Sequence, residues 1–237
     1  MKERLFFSIV IPARNEEKYL PKTLRYLRKM NYPKSNYEII VVENGSTDRT
    51  YQIASKFRSK TTKVFASKKA GVSIARNFGA AKASRRSDWL IFLDADTILK
   101  PKFLNELNSF LNKPKNHEAV TGATTILPLE KNLKSKLWLG FYNIFRELFN
   151  IPFTVQIVKT SAFRRAKYDV QLKFSEDMEI IKQLLKFGDF FFLKTDQAET
   201  STRRFEKAGY ARTMFKWACG TLTPKYFKRR KPYEVIR

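Results

Sequence analysis

The feature that most constrains the fold is an alternation, in the first half of the chain, of short apolar segments with leucines at helical spacing. The segments 6–11, 38–42 and 88–93 are almost continuously apolar, as strands covered on both faces are. A shorter segment at 63–66 is predicted to be a fourth strand. Each is followed by a helical pattern, and four β–α units of this spacing predict an α/β fold with a mostly parallel central sheet flanked by helices.

The breaks between these segments carry recognisable signals. The first helix contains Leu20 and Leu27 and is expected to end before Pro33, and Ser46 is expected to cap the second helix. A third helix is predicted over 72–83, and Pro101 is expected to open a fourth.

The second half has a different pattern. We predict strands over 119–127, 154–163 and 189–194, and helices over 131–149 and 175–187. A last helix is predicted to begin near Ser201 and to carry Phe205, Met214, Phe215 and Trp217. Because neither an internal repeat nor a low-complexity linker separates the halves, residues 1–237 are expected to form a single domain with one core.

Polar residues follow three of the predicted strands directly, at 13–17, 43–48 and 94–96. Ligands of parallel sheets bind beyond the carboxyl ends of the strands. Asp94 and Asp96, two residues apart after a buried strand, can face one divalent cation, which takes oxygen ligands. The alternative is a turn with helix-capping acids.

Two further charged pairs leave the same choice open. Glu176 and Asp177 open a helix, where acids are favourable because of the helix dipole, but one of them can also serve as a general base. Arg203 and Arg204 follow two hydroxyl residues and suit a diphosphate, or else form a solvated turn. Arg76, inside a helical segment, poses the same question.

The chain carries 47 Lys and Arg against 22 Asp and Glu, a formal charge of +25. Such a charge suits a polyanionic partner: nucleic acid, an anionic membrane or a phosphorylated substrate. The excess divides almost evenly between residues 1–120 and 121–237, and carboxylates at the strand ends would repel nucleic-acid phosphates. A non-enzymatic nucleic-acid-binding protein is therefore the less favoured hypothesis. We expect no nucleic acid among the partners. One Cys and one His exclude a disulfide framework and a zinc site built from those residues.

The sequence also bears on location. No apolar run approaches the roughly 20 residues of a membrane span, and Pro12 interrupts the only segment that resembles a signal peptide. The protein is expected to be cytoplasmic. An apolar stripe on helix 131–149 either packs in the core or lies in a membrane interface; its members are Leu137, Trp138, Phe141, Phe145, Leu148 and Phe149. Together with the charge, it predicts peripheral contact with anionic lipid at the inner face of the cell membrane.

Four motifs together resemble the family 2 glycosyltransferases. They are IVIPARNEE (9–17), IIVVENGSTD (39–48), ARNFG (75–79) and FLDAD (92–96), and their order and spacing match that family's nucleotide-sugar domain. The later SED (175–177) and TRRF (202–205) are similar to its acceptor-side motifs.

The resemblance implies a GT-A fold and an inverting transfer of a sugar from a nucleotide-diphosphate sugar, with Mn²⁺ or Mg²⁺. Residues of about 1–115 would bind the nucleotide sugar, and residues of about 116–237 would bind the acceptor, a lipid-linked sugar, a lipid phosphate or a glycan. Asp177 matches the catalytic base, and Asp96 with Asp94 would hold the metal. The remaining donor-binding positions are Pro12, Ala13, Arg14, Glu16, Glu43, Asn44, Arg76, Ala95, Glu176, Arg203 and Arg204.

Two departures qualify the resemblance. Glu43 and Asn44 stand where the family often has two Asp, which leaves the base of the nucleotide undetermined. The Gln-x-x-Arg-Trp motif of processive synthases is absent, so synthesis of long polymers is not expected. The alternative enzyme, a nucleotidyltransferase on the same fold, would need a Gly-rich phosphate loop, and residues 12–17 contain no Gly.

Overall fold

The computed structural model describes residues 4–130, 132–172 and 174–209, without the side chains of Arg204 and Ala208. The predictions for Met214, Phe215 and Trp217 of the last helix therefore lie outside the described residues, as does the side chain of Arg204.

The described chain forms ten strands and eight α-helices. The strands are β1 (Phe7–Ala13), β2 (Tyr37–Glu43), β3 (Thr62–Ala66), β4 (Trp89–Leu93), β5 (Thr97–Leu99), β6 (Ala119–Thr124), β7 (Leu127–Pro128), β8 (Val155–Lys159), β9 (Asp189–Leu193) and β10 (Ala198–Thr200). The helices are α1 (Leu20–Arg28), α2 (Thr50–Ser55), α3 (Val72–Ala81), α4 (Phe103–Leu111), α5 (Leu133–Leu148), α6 (Thr160–Phe163), α7 (Glu176–Leu184) and α8 (Arg203–Ala208).

Seven strands form the central sheet in the order β3-β2-β1-β4-β8-β6-β9. Strands β3, β2, β1 and β4 are mutually parallel, as are β6 and β9, while β8 runs antiparallel to both of its neighbours, β4 and β6. Three further strands form a second sheet in the order β5-β10-β7. The α/β fold with a mostly parallel sheet is thus confirmed.

Alternate residues of the central strands enter two apolar clusters. Ile9 and Ile11 pack in the cluster that contains the leucines of α1 and α4, whereas Val10 packs in the other cluster with Ala75 of α3. This alternation explains the continuous apolar runs, because both faces of β1 are covered. Residues of the second half contribute to both clusters, as Ile157 and Val158 of β8 do.

Three predicted boundaries are wrong. Ser46 does not cap α2, which begins at Thr50; the Ser46 hydroxyl instead accepts a hydrogen bond from the Asn15 amide at 3.0 Å. The predicted strand 119–127 is divided, because β6 ends at Thr124 and β7 pairs with β10 in the second sheet. The predicted strand 154–163 changes at residue 160 into the short helix α6.

The stripe predicted on helix 131–149 also needs correction. Trp138 belongs partly to the core, where its ring lies 5.4 Å from that of Phe205, and Phe145 is only half-exposed. Leu137, Phe141, Leu148 and Phe149 are exposed as predicted, and Leu133 and Ile144 join them on the exposed side of the helix. Among the described residues, no helix has the length and hydrophobicity needed to span a membrane.

Candidate functional site

The predicted site residues of the first half lie at the carboxyl edge of the central sheet. Strands β2, β1 and β4 are neighbours, so the segments that follow them meet at one edge. The Asn44 amide donates a hydrogen bond to the Ala13 carbonyl at 3.0 Å, which joins the ends of β1 and β2. Ala13, Glu43, Asn44 and Ala95 are buried, and Pro12 is half-buried.

The loops after β1 and β2 are fastened to each other. Asn15 has a positive φ of 54°, and its side-chain oxygen accepts a hydrogen bond from the Thr47 amide at 2.8 Å. The exposed Arg14 donates to the Gly45 carbonyl at 3.2 Å, and the Glu43 carboxylate accepts from the Ser46 amide. The Oε1 atom of Glu43 accepts this bond within its own loop, so Oε2 is the carboxylate oxygen that can accept a hydrogen bond from a ligand.

Asn44 presents a polar atom without a protein partner. Its side-chain nitrogen donates to the Gly71 carbonyl at 3.3 Å, while the buried side-chain oxygen has no hydrogen-bond partner among the described residues. A buried unsatisfied acceptor is costly, and in a cleft it is an acceptor for a donor that arrives with a ligand. The N–H of a nucleobase or the hydroxyl of a ribose has the required chemistry.

Arg76 joins the first half of the chain to the second. It lies on α3, is 6% exposed, and its guanidinium contacts Asp177 at 2.5 Å, Glu176 at 3.3 Å and Asp94 at 3.7 Å. The ring of Tyr168 lies 5.1 Å from the same guanidinium. The structure thus brings the predicted base, its neighbouring acid and one predicted metal ligand around a single buried cation, the Arg76 cluster.

The cluster changes the protonation of Asp177. Burial raises the pKa of Asp177, Arg76 lowers it, and the negative charges of Glu176 and Asp94 raise it, with a net value of about 7. A carboxyl group that titrates near neutral pH can take up a proton and release it again, as a general base must. Proximity to three acids also raises the pKa of Arg76, so that this side chain remains charged.

Arg203 forms a second charged cluster, which includes Asp96. Its guanidinium contacts both oxygens of Glu16, at 2.9 and 2.8 Å, and Asp96 at 3.0 Å, and it stacks 3.8 Å from the centre of the Tyr19 ring. These acids raise the pKa of Arg203. Asp94 and Asp96 therefore contact different arginines, Arg76 and Arg203.

Glu130 fixes the helix that carries Arg203. Its carboxylate accepts hydrogen bonds from the Thr202 amide at 2.8 Å, the Thr202 hydroxyl at 3.0 Å and the Ser201 hydroxyl at 2.7 Å. These donors lower the pKa of Glu130, although burial opposes them. Arg204, the second predicted diphosphate ligand, belongs to the same helix α8.

The residues present suit a hard divalent cation that is bound together with a diphosphate. No group of three or more His, Cys, Asp or Glu side chains that could hold a metal occurs in the part of the chain that the structure describes. Mg²⁺ is commonly held by one or two carboxylates and by substrate phosphates, with water completing the shell. The nearly buried carboxylate of Asp96, 5% exposed, with that of Asp94 is such a partial donor set.

Sequence reasoning missed three residues of the site. Tyr168 and Tyr19 lie against Arg76 and Arg203, and Glu130 holds the start of α8. No local motif distinguishes either tyrosine from a core aromatic residue. Glu130 is 72 residues from its partner Thr202, so no local spacing could reveal that contact.

A mostly parallel sheet with acids and arginines gathered at its carboxyl edge is the architecture of the GT-A nucleotide-diphospho-sugar transferases. Residues 8–170 match the family model Glycosyl transferase family 2, and the chain therefore belongs to glycosyltransferase family 2 and is an enzyme.

Two curated relatives show how far the similarity extends. The poly(ribitol-phosphate) beta-N-acetylglucosaminyltransferase TarS of Staphylococcus aureus is 32% identical over 110 residues, which are 45% of this chain and 19% of TarS. A dolichyl N-acetyl-alpha-D-glucosaminyl phosphate 3-beta-D-2,3-diacetamido-2,3-dideoxy-beta-D-glucuronosyltransferase of Methanococcus voltae is 29% identical over 144 residues, 58% of this chain and 44% of the relative. The match thus spans less than half of either relative's length.

Solved structures share the fold. TarS 1–349 of S. aureus in complex with UDP-GlcNAc superposes with a TM-score of 0.68 at 21% identity, over 84% of this chain and 59% of that one. The mannosyltransferase PcManGT of Pyrobaculum calidifontis, in complex with GDP-Man and Mn²⁺, superposes with a TM-score of 0.67 at 15% identity, over 95% of this chain and 68% of that one. At these identities the similarity establishes the GT-A fold alone.

Proposed function

We propose that the protein is an inverting glycosyltransferase that moves a sugar from a nucleotide-diphosphate sugar to a lipid-linked acceptor in one displacement. The observation that carries the proposal is the Arg76 cluster, in which the half-buried Asp177 contacts Arg76 and has a pKa of about 7. A group poised in this way suits removal of a proton from an attacking hydroxyl.

The donor site would lie over the ends of β1, β2 and β4. The unpaired oxygen of Asn44 and the carboxylate of Glu43 would accept hydrogen bonds from the base and ribose, and Pro12, Ala13 and Arg14 would line the same pocket. Support comes from solved relatives of this fold that bind UDP-GlcNAc and GDP-Man.

In the proposed step, the acceptor oxygen forms a bond to the anomeric carbon while the bond from that carbon to the diphosphate oxygen breaks. The acceptor proton passes to a carboxylate oxygen of Asp177. Because the acceptor attacks the face of the sugar opposite the departing diphosphate, a single displacement inverts the anomeric configuration. Negative charge develops on the departing diphosphate, and Arg203 and Arg204 are proposed to bind it.

A divalent cation, Mn²⁺ or Mg²⁺, would be held by Asp96 with Asp94 and would supply Lewis-acid stabilisation of the leaving diphosphate. Support for this assignment comes from the P. calidifontis relative, whose structure contains Mn²⁺. Before the donor arrives, Arg203 is paired with Asp96 and Glu16, so binding of the diphosphate would require its guanidinium to exchange part of its carboxylate contacts for phosphate contacts.

The acceptor is proposed to be lipid-linked. The name of the M. voltae relative gives a dolichyl-linked sugar phosphate as its acceptor, and the charge of +25 favours work beside an anionic membrane. A location at the cytoplasmic face of the cell membrane is part of the same proposal.

Asp177→Asn tests the base. We expect hydroxyl-acceptor transfer to fall by about 10²–10⁴-fold, because the amide cannot take up the proton, while the dissociation constant of the donor stays within a few-fold of wild type. Transfer is measured by release of the nucleoside diphosphate, and donor binding by calorimetry. Asp189→Asn, an exposed carboxylate at the start of β9, is the matched control and should leave both unchanged.

Retained turnover of a hydroxyl acceptor by Asp177→Asn would contradict the role of Asp177. Retained turnover of a lipid phosphate alone would instead identify a phosphate as the acceptor, because that nucleophile is already ionised and needs no base. The anomeric configuration of the product, read by NMR coupling constants, tests inversion separately; retention would exclude the single displacement.

A further inference from the structure

Helix α5 has a buried face and, opposite it, an exposed apolar face. One face packs against the protein through Ser135, Leu139, Tyr142 and Arg146. The other face is exposed and consists of Leu133, Leu137, Phe141, Ile144 and Leu148, whose exposed fractions range from 51% to 72%. Within each face, successive members are three or four residues apart, which places them on one side of the helix. A member of one face and its neighbour on the other are two residues apart, a rotation of about 200° around the helix axis. We refer to the exposed face as the α5 stripe.

The orientation of α5 is fixed by its polar contacts. The fully buried Arg146 donates to the Thr124 carbonyl at 2.9 Å and to the Phe153 carbonyl at 2.7 Å. Asn143 exchanges two hydrogen bonds with the backbone of Ile126, at 3.0 and 2.8 Å. Rotation of the helix to bury the α5 stripe would break all of these bonds, so the stripe is held on the outside.

The charges beside the α5 stripe are suited to an anionic surface. Lys134 and Lys136 are exposed at the amino-terminal end of the helix, and the one acid on α5, Glu147, is paired with Lys194 at 3.0 Å. A second copy of a chain with a charge of +25 would be repelled, whereas anionic headgroups would be attracted. Charge complementarity therefore favours a lipid bilayer as the occupant of the stripe.

We propose that the α5 stripe is a docking face for an anionic bilayer, with the helix lying in the plane of the membrane interface. Amphipathic helices bind in this way by inserting an apolar face about 5–10 Å into the boundary between headgroups and acyl chains, while basic residues contact the headgroups. The long side chains of Lys134 and Lys136 can extend toward the phosphates while their apolar stems remain against the helix.

The first turn of α5 contacts the segment that leads into α8. The Ser135 hydroxyl, in the first turn of α5, contacts the Thr202 hydroxyl at 3.0 Å, and Thr202 directly precedes Arg203. A bilayer in contact with the α5 stripe would therefore lie near the start of α8. This docking does not depend on the reaction proposed above, because the α5 stripe is formed without the residues of either charged cluster.

Vesicle flotation with the full chain tests the proposal. The vesicles contain equal parts of phosphatidylcholine and phosphatidylglycerol, or phosphatidylcholine alone. We expect wild type to float with the anionic vesicles and much less with the neutral ones. The triple variant Leu137→Gln, Phe141→Gln, Ile144→Gln should bind the anionic vesicles about a hundredfold more weakly, because three large side chains no longer enter the lipid. Glutamine keeps the helix propensity high.

Val170→Gln is the matched control, since Val170 is an apolar side chain that is 52% exposed and lies outside α5. It should float as wild type does. Wild type that fails to float, or a triple variant that floats equally well, would overturn the proposal. Donor binding, measured on the same samples by calorimetry, should be equal in all three proteins, which separates lost docking from lost function.

A fluorescent probe distinguishes lipid from other occupants. Phe141→Cys in a Cys219→Ser background carries an environment-sensitive label at the centre of the α5 stripe. A blue shift of its emission only after anionic vesicles are added supports the proposal. A label that is already shielded in buffer would overturn it: dependence on protein concentration would then identify a second copy as the cover, and independence would identify the chain's own residues.

Discussion

Arg76 forms ion pairs with three carboxylates at once. Its guanidinium is buried against Asp177, Glu176 and Asp94, and without it these acids would repel one another in a poorly solvated place. Breaking a buried ion pair by removing one partner typically costs about 3–5 kcal/mol. We therefore regard Arg76 as a positioning residue that holds Asp177 and adjusts its pKa, although the sequence had suggested donor binding.

A pH profile follows from the pKa of Asp177. The group titrates near pH 7, so its ionised, proton-accepting fraction grows as the pH rises through that value. We expect kcat/KM for a hydroxyl acceptor to rise about tenfold per pH unit below about pH 7 and to level off above it.

Arg76→Gln should move this rise to higher pH, because the lost cation no longer lowers the pKa of Asp177. Arg76→Lys keeps a charge and should move it less. A profile that is flat from about pH 5 to about pH 8 in wild type would contradict the assignment.

Arg203 occupies with its guanidinium the neighbourhood of Asp96 that a metal would use. We expect Mn²⁺ alone to bind weakly to wild type, and Arg203→Gln to bind it at least about tenfold more tightly, because two acids lose their internal counter-charge. The EPR signal of free Mn²⁺ measures this without any turnover.

Arg164→Gln removes an equal charge from an exposed site and should leave Mn²⁺ affinity unchanged. Adding Asp96→Asn to Arg203→Gln should abolish the gain. Equal Mn²⁺ affinity of Arg203→Gln and wild type would mean that Arg203 does not compete for that position.

At the scale of elements, α3 packs closely against the central sheet at Gly79. A Cβ built on Gly79 would lie 2.4 Å from a methyl carbon of Val10, closer than atoms tolerate. Gly79→Ala should therefore displace α3, together with Arg76 one turn earlier, and lower the free energy of unfolding by about 1–3 kcal/mol. Urea titration provides the measurement.

Gly140→Ala is the matched control, because a Cβ at Gly140 meets nothing within 4 Å and the residue lies inside α5. Alanine there should raise the free energy of unfolding by about 0.5–1 kcal/mol, since glycine costs more conformational entropy in a helix. Equal effects of the two substitutions would show that α3 can adjust to the added methyl group.

Whether an element could be predicted from the sequence depended on its length and burial. Strands β1, β2 and β4 were predictable because both of their faces are buried, which leaves an unbroken apolar run. Strands β5 and β7 have three and two residues, too few for any periodicity, and α6 follows β8 directly, with no Gly or Pro between them to signal the change.

For the site, the motifs identified which residues converge but not how they pair. Arg76 and Asp177 are 101 residues apart, and only the three-dimensional fold determines that they meet. For the same reason, the sequence could not foresee that Asp94 and Asp96 contact different arginines.

At the scale of the whole molecule, the charge of +25 should limit stability at low ionic strength. Like charges spread over a surface repel one another in the compact state, and salt screens exposed charges more than buried ones. We expect the Tm to rise as NaCl increases from about 10 mM to about 150 mM, with the Debye length falling from about 30 to about 8 Å. Scanning calorimetry in which the Tm falls would show that surface ion pairs outweigh the repulsion.

Both charged clusters join partners from the two halves of the chain: Arg76 of α3 with Asp177 of α7, and Glu16 with Arg203 of α8. The two parts of the molecule are thus not interchangeable modules. A chimera that keeps the first half and takes the second half from a relative would need an acidic side chain that pairs with Arg76 and a basic side chain that pairs with Glu16. Without them it would enclose unpaired charges. Engineers who wish to graft a new acceptor specificity should therefore transfer these four positions as a unit, and natural recombination at the middle of the gene would face the same requirement.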